Sequence, residues 1–216
     1  MLPRKIADST VRRLAIYLRF LEEFEQQGAD TLSSEALATR AGTTSAQVRK
    51  DLSFFGSFGK RGLGYDVHAL AGELREILGL NRRYRVVMVG AGRLASALVQ
   101  YSGFHARGFD IVAVLEKDPA KIGQRWGEVH VQDVARLEKV VREESVDLAV
   151  LVTPADPAQA LVDRLVSAGV TAILNFAPLQ LHVPEGVEVK NVNLAVELET
   201  LSYAIAHRAV DGARRA

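Results

Sequence analysis

The chain contains no cysteine. A disulfide framework, a zinc–cysteine site and a thiol redox switch are therefore excluded, and any redox role has to run through a bound molecule. Long apolar runs are missing as well. No stretch approaches the ~20 residues of a membrane span, and the opening "MLPRKIADST" lacks the apolar core of a secretory signal. These absences predict a soluble, cytoplasmic protein without membrane contact. Histidine is sparse and scattered (His68, His105, His130, His182 and His207), with no H-E-x-x-H and no metal-spaced cluster, so no metal is expected. No G-x-S-x-G, internal repeat or low-complexity tract is present.

What is there is ordinary for a globular chain of 216 residues: 48% apolar and 25% charged, enough for one large domain or two small ones. The net charge of +1 hides an asymmetry, with cations in excess up to residue 84 and anions in excess beyond it. Between residues 40 and 65, Arg40, Arg49, Lys50, Lys60 and Arg61 face Asp51 alone. Such a patch suits an anionic partner, although a plain solvated face would carry the same charges.

Val11, Leu14, Leu18 and Leu21 recur at helical spacing, widened by Tyr17 and Phe24, and Gly28 ends the run. Ser33 and Ser34 can cap a short helix, "EALATRA", that stops at Gly42. Thr44-Ser-Ala-Gln47 is a capping-box pattern in which Thr44 and Gln47 satisfy each other's backbone donors. It opens a third helix to about Phe54, with Val48, Leu52 and Phe55 inward and Ser45, Arg49, Lys50 and Ser53 outward. Three helices, the last two joined by a tight turn and followed by "GSFGKRGLGY", are the layout of a winged helix-turn-helix whose third helix enters a DNA major groove. The glycine-rich stretch is then the wing, a hairpin tip armed with Lys60 and Arg61. It is no P-loop, because Lys60 is followed by Arg61 rather than Ser or Thr. Ser45, Gln47 and Arg49 are the candidates to read base edges, and Lys60 and Arg61 to meet phosphates. An amphipathic helix over 66–79 and a boundary in "GLNRRYR" close a first domain at 1–80.

From residue 85 the pattern changes. The strands "RVVMV", "DIVAVLE", "DLAVLVT" and "TAILN" alternate with the helices "GAGRLASALVQY", "DVARLEKVVREE" and "PAQALVDRLVSAG". That order predicts a doubly wound, Rossmann-like parallel sheet over 85–192. A last helix, about 194–207 within a segment 193–210, puts Leu194, Leu198, Leu201 and Ile205 on one face and adds Val196 and Tyr203. It is covered either within its own chain or by a partner subunit. "DGARRA", 211–216, reads as a frayed tail.

Gly90-Ala91-Gly92-Arg93-Leu94-Ala95 follows a strand and opens a helix, the context in which G-x-G-x-x-A binds a dinucleotide. Gly90 permits the turn, Gly92 lets the backbone approach a pyrophosphate, and Ala95 allows close helix–strand packing. Glu116 ends the second strand 26 residues after Gly90, beyond the usual ~20. A carboxylate there accepts hydrogen bonds from ribose hydroxyls and favours NAD(H) over NADP(H), whereas Lys117 beside it would suit a 2′-phosphate. Thr153 and Pro154, at the end of the third strand, complete the candidate cofactor contacts. No histidine sits in an acid–base motif, so an enzyme is not expected. A small NAD-dependent dehydrogenase, and a DNA-binding regulator sensing another nucleotide or a CoA ester, are the alternatives.

The segments "VRKDLSFFGSFGKRGLGY", "ILGLNRRYRVVMVGAGRLASAL", "DPAKIG", "LNFAP" and "VEVKNVNLAVELETLSYAI" together make the chain resemble the bacterial Rex family of redox-sensing transcriptional repressors, over nearly its whole length. The resemblance implies a homodimer on a palindromic operator, with each C-terminal helix swapped onto the partner's nucleotide domain and DNA released when NADH binds. It implies DNA contacts at Arg49, Lys50, Lys60, Arg61 and Gly62, and dinucleotide contacts at Gly90, Gly92, Arg93, Leu94 and Glu116. Tyr101 and the segment near Asn193 would approach the nicotinamide. Two positions depart from the family pattern. The second-strand acid, often aspartate, is Glu116, and the usual "VDL" reads Val192-Asn193-Leu194. In some members that aspartate exchanges partners between an arginine matching Arg19 and a tyrosine matching Tyr101; asparagine keeps the hydrogen bonding and loses the charge.

Overall fold

The computed structural model describes residues 6–59 and 63–213, with side chains to 207. The chain divides into two compact units, Met1–Arg82 and Arg83–Ala216.

The first unit is helical. α1 (Asp8–Gln26) buries Leu14, Tyr17, Leu18 and Leu21 on one stripe. A two-residue strand β1 (Thr31–Leu32) follows, then α2 (Ser34–Ala41), capped by the Ser33 hydroxyl and stopped by Gly42 in the left-handed conformation. α3 (Ser45–Ser53) starts at Thr44, whose hydroxyl accepts from the Gln47 amide at 3.1 Å. The capping box is only half made: the Gln47 side chain donates to Asp51 instead of returning to Thr44. Val48 and Leu52 are buried as expected and Phe55 packs against the same cluster. Ser45 is half-buried rather than solvent-facing. The wing is not a self-contained hairpin among the described residues. Its outgoing arm, β2 (Tyr65–Asp66), pairs antiparallel with β1, and Phe54–Gly59 forms no strand. At Gly64, with φ of +82°, a side chain would run into the Leu32 carbonyl, so the close crossing of the two arms requires glycine. α4 (Val67–Ile77), capped by Asp66, completes this core.

The second unit holds a sheet of seven strands: β3 (Tyr84–Val89), β4 (Phe109–Glu116), β5 (Arg125–Trp126), β6 (Val129–Asp133), β7 (Leu148–Leu151), β8 (Ala172–Asn175) and β9 (Glu188–Asn191), ordered β5-β6-β4-β3-β7-β8-β9. All pairs are parallel except β5 with β6, an antiparallel two-residue edge. From β6 to β9 the strand order is that of a doubly wound dinucleotide fold running outward from β3, although among the described residues no helix intervenes between β4 and β6 or between β8 and β9. β5, β6 and β9 escape the sequence pattern. They are short, and β9 is largely exposed. Alternate residues of β3 serve opposite faces. Val87 and Val89 pack with α7 (Leu137–Glu143) and α8 (Ala155–Ser167), while Val86 and Met88 pack with Ala95 of α5 (Arg93–Val99). A 3₁₀ turn, Val134–Arg136, takes the place of the expected start of α7. The short α6 (Ser102–Ala106) fills the span between α5 and β4.

α9 (Leu194–Ala213) takes in the first half of the expected tail, 211–213. Its described large apolar residues are open: Leu198 is 67%, Tyr203 65% and Ile205 72% exposed. Coverage within its own chain is therefore not what the sequence's two apolar edges reflect.

Candidate functional site

Strand register assembles the crevice. Val89 pairs with Leu115 on one side and Leu151 on the other, so the residues that follow, Gly90, Glu116 and Val152, converge at the carboxyl ends of the strands. This is where the sheet order reverses, the place where open α/β sheets bind ligands. Gly90 has φ of +104°, and a Cβ there would lie 2.8 Å from the Val152 carbonyl oxygen; the loop can cross β7 only as glycine. Gly92 is different. Its φ is −84° and a Cβ would meet nothing within 4 Å, so the protein itself leaves that face of the loop unfilled. Ala95 is fully buried against the sheet.

A cavity of about 430 Å³ occupies this crevice, lined by Gly90, Ala91, Gly92, Glu116, Lys117, Thr153 and Pro154 among others. The volume lies in the range of small-molecule sites, ~300–1,000 Å³. The Thr153 hydroxyl is buried in its wall without a hydrogen-bond partner, an orphan that a ligand's polar group would satisfy. Glu116 is otherwise engaged. One carboxylate oxygen accepts from the Ala91 amide at 2.7 Å; the other accepts from the Lys117 and Asp118 amides at 2.8 and 3.1 Å. Burial pushes this carboxyl up, but those amides together with Lys121 outweigh it and hold it below the usual range. The acid expected to face a ribose thus first ties the glycine loop to the tip of β4. Lys121, 3.8 Å from Glu116 and 3.9 Å from Asp118, also lines the cavity; its place in "DPAKIG" was the available signal.

The remaining cofactor candidates lie elsewhere. Leu94 and Asn193 line a second cavity of about 500 Å³ with Phe176 and Asn191. The loop at its edge is fixed by buried Asn175, which donates to the Ala177 and Leu179 carbonyls and to Asn191. The Asn193 side chain accepts from the Ala195 and Val196 amides and caps α9. Arg93 is exposed on the first turn of α5. Tyr101 lines neither cavity. It is 59% exposed, precedes α6 and packs edge-on against Phe104 at 5.2 Å.

In the first unit, Arg49, Lys50 and Ser53 are exposed along α3. Arg49 donates to the Ser34 hydroxyl at 2.9 Å, which links α3 to the start of α2. Ser53 donates to the Lys50 carbonyl. Gln47 is half-buried and bound to Asp51. Lys60, Arg61 and Gly62 lie outside the described residues. Arg19 is exposed and pairs with Glu23 one turn along α1, at 3.7 Å.

Sequence reading missed Asp51. This carboxylate is fully buried, and burial pushes it up. Hydrogen bonds from Arg13, Gln47 and Tyr17 nevertheless hold it below the usual aspartate range. The signal was its place between Val48 and Leu52, on the inward side of α3. No cluster of potential metal ligands occurs among the described residues, and none of their helices is long and apolar enough to cross a membrane.

Two family profiles match the chain: "Putative DNA-binding protein N-terminus" over residues 5–53 and "CoA binding domain" over residues 81–179. It is 49% identical to the redox-sensing transcriptional repressor Rex of Carboxydothermus hydrogenoformans, across 93% of this chain and 97% of that protein. Among solved structures it is similar to RSP, a Rex-family repressor. The form in complex with β-NAD⁺ and operator DNA superposes with a TM-score of 0.91 at 36% identity, covering 97% of this chain and 96% of the other. The form in complex with β-NADH gives 0.88 at 35%, covering 97% and 98%.

Proposed function

This chain belongs to the Rex family of redox-sensing transcriptional repressors, and from that premise we propose that it represses transcription from a palindromic operator as a cytoplasmic homodimer and leaves the DNA when NADH binds. The observation that carries the reading is the pairing, in one chain, of an exposed third helix in a helix-turn-helix with a Gly90–Gly92 crevice built for a dinucleotide.

The division of labour falls at residues 80–85. In the first unit Ser45, Arg49, Lys50 and Ser53 meet the major groove, while Lys60, Arg61 and Gly62 meet backbone phosphates, the contacts that give affinity and salt dependence. Two such units on a two-fold axis would span half-sites roughly 34–36 Å apart or a multiple of it. In the second unit Gly90, Ala91, Gly92 and Arg93 approach the pyrophosphate, Thr153 and Pro154 border it, and Leu94, Tyr101 and Asn193 lie toward the nicotinamide. Bound NAD(H) would supply only a redox-dependent shape and charge; the residues bind and sense it. Glu116 and Lys117 close the adenosine end, and an acidic tip selects NAD(H) over NADP(H).

The open apolar residues of α9 support its exchange onto the partner's nucleotide unit, and with it the homodimer. Asn193 is neutral and already caps α9, so no ion pair with Arg19 forms at this position. Any switch there works by displacement or hydrogen bonding. No metal takes part.

NADH releases DNA only by binding the non-DNA arrangement more tightly. The test is fluorescence anisotropy of a labelled duplex, selected from a random library by the protein, titrated with NADH, NAD⁺ and NADPH. Release by NADH at concentrations where NADPH has little effect is expected; retained binding at saturating NADH contradicts the reading. The CoA-binding profile over residues 81–179 favours one rival, a CoA-ester sensor, and an acetyl-CoA arm of the same titration decides it.

A further inference from the structure

Asp51 lies on the face of α3 that packs into the helical core. One carboxylate oxygen accepts from Arg13 Nη2 at 2.7 Å and from Gln47 Nε2 at 2.8 Å. The other accepts from Arg13 Nε at 2.6 Å and from the Tyr17 hydroxyl at 2.9 Å. Arg13 Nη2 also donates to the Thr10 hydroxyl at 3.1 Å. Arg13 thus grips the carboxylate with two parallel bonds, the geometry of guanidinium–carboxylate recognition.

A buried charge of this kind is a poor way to gain stability, because well-packed apolar residues of the same volume usually do as well or better. What it supplies is direction. The apolar cluster that Leu14 and Leu18 of α1 share with Val48 and Leu52 of α3 tolerates sliding and rotation. The hydrogen bonds do not: Thr10, Arg13 and Tyr17 occupy successive turns of one α1 face, and Asp51 meets them all. At about 100° per residue, Arg49 projects from nearly the opposite side of α3 to Asp51. A rotation of α3 on α1 would therefore swing Arg49 and Lys50 by the same angle.

We propose that Asp51 is the positioning residue of the recognition helix. It fixes the rotation and register of α3 on α1, and it acts on DNA sequence through that placement, with Gln47 committed to the internal network rather than to a base. The proposal rests on the DNA-binding reading of α3.

The test uses the full chain, with Asp51→Asn and the double variant Arg13→Met/Asp51→Leu, which removes both charges together. Anisotropy would measure affinity for the duplex selected by the unsubstituted protein and for a random-sequence duplex of equal length. NADH affinity and melting temperature are read in parallel. In both variants the ratio of selected to random affinity should fall about tenfold or more, the discrimination carried by one bidentate base contact. Random-duplex and NADH affinities should stay within about twofold of the parent's, so that the loss is one of discrimination and not of phosphate contacts. The double variant should melt near the parent. A double variant that melts near the parent and keeps its ratio overturns the proposal, as does a ratio unchanged in Asp51→Asn. Absence of any preference in the unsubstituted protein overturns the DNA reading, and this inference with it.

Discussion

Each unit withdraws a carboxylate from solvent, Asp51 completely and Glu116 in part, and the two are held by different means. Asp51 is held by side chains, above all the Arg13 guanidinium and the Tyr17 hydroxyl of α1, joined by Gln47 of its own helix. Glu116 is held by backbone amides of its own strand tip and of the glycine loop. Burial pushes both up, and their partners bring both below the ordinary range. A carboxylate held by a cation fixes one helix on another, and the pair can be removed as a pair. A carboxylate held by amides fixes a loop, and its partners stay behind whatever replaces it. The first arrangement suits presentation of a rigid reading helix; the second suits a loop that must keep one conformation beside a cavity.

Substitution can break that comparison, beginning where the effect is greatest. Asp51→Ala leaves the half-buried Arg13 and the buried Tyr17 without their acceptor and should cost about 3 kcal/mol, seen as loss of the first unit's transition in chemical denaturation while the second unit's persists. A cost under about 1 kcal/mol would place the pair among ordinary surface ion pairs. Gly90→Ala forces a side chain into φ of +104° against the Val152 carbonyl and should cost about 1–3 kcal/mol, with NADH binding lost. Gly92→Ala meets neither obstacle and should melt within about 0.5 kcal/mol of the parent, yet bind NADH more weakly because the methyl group takes the ligand's space. Equal effects on stability from the two glycines would contradict the assignment of their roles.

Glu116→Gln should cost less than Asp51→Ala, about 1.5–3 kcal/mol, since a carbonyl oxygen still accepts from part of the loop. The two acids also sharpen the comparison through pH. Their folded pKa values are depressed, so the stability they contribute is complete above the unfolded pKa, near ~4 for such groups. It is lost as pH falls through the folded values. Denaturation midpoints should therefore hold level above about pH 5 and drop below it. Asp51→Asn should make that acid limb shallower in the first unit, where Glu25 also titrates low, and Glu116→Gln in the second, where Asp110 and Glu138 share it. An unchanged limb in either variant would show that the carboxylate is not the group titrating.

Much of this was legible in the sequence for reasons of periodicity. The Leu14–Leu18–Leu21 stripe, the capped starts at Ser33 and Thr44, and the buried runs of β3, β4, β7 and β8 each follow from local pattern. What escaped was non-local or short. β1 and β2 are two residues each and exist only because Gly64 lets one arm cross beside Leu32. β9 alternates no apolar face. Gln47 fits a capping box locally, but Asp51 competes for its amide and wins. The position of Glu116 at the tip of β4 follows from the strand pattern; that its oxygens are taken by amides depends on how the loop from Gly90 folds back. The separation of Asn193 and Leu94 from the Gly90 cavity likewise depends on where β9 ends.

In the proposed repressor the DNA and dinucleotide sites are coupled, and coupling is reciprocal. The most direct measurement is NADH affinity, followed by its own fluorescence, with and without a saturating selected duplex. The duplex should weaken NADH binding by the same factor by which NADH weakens binding to the duplex. An NADH affinity unmoved by the duplex would contradict it.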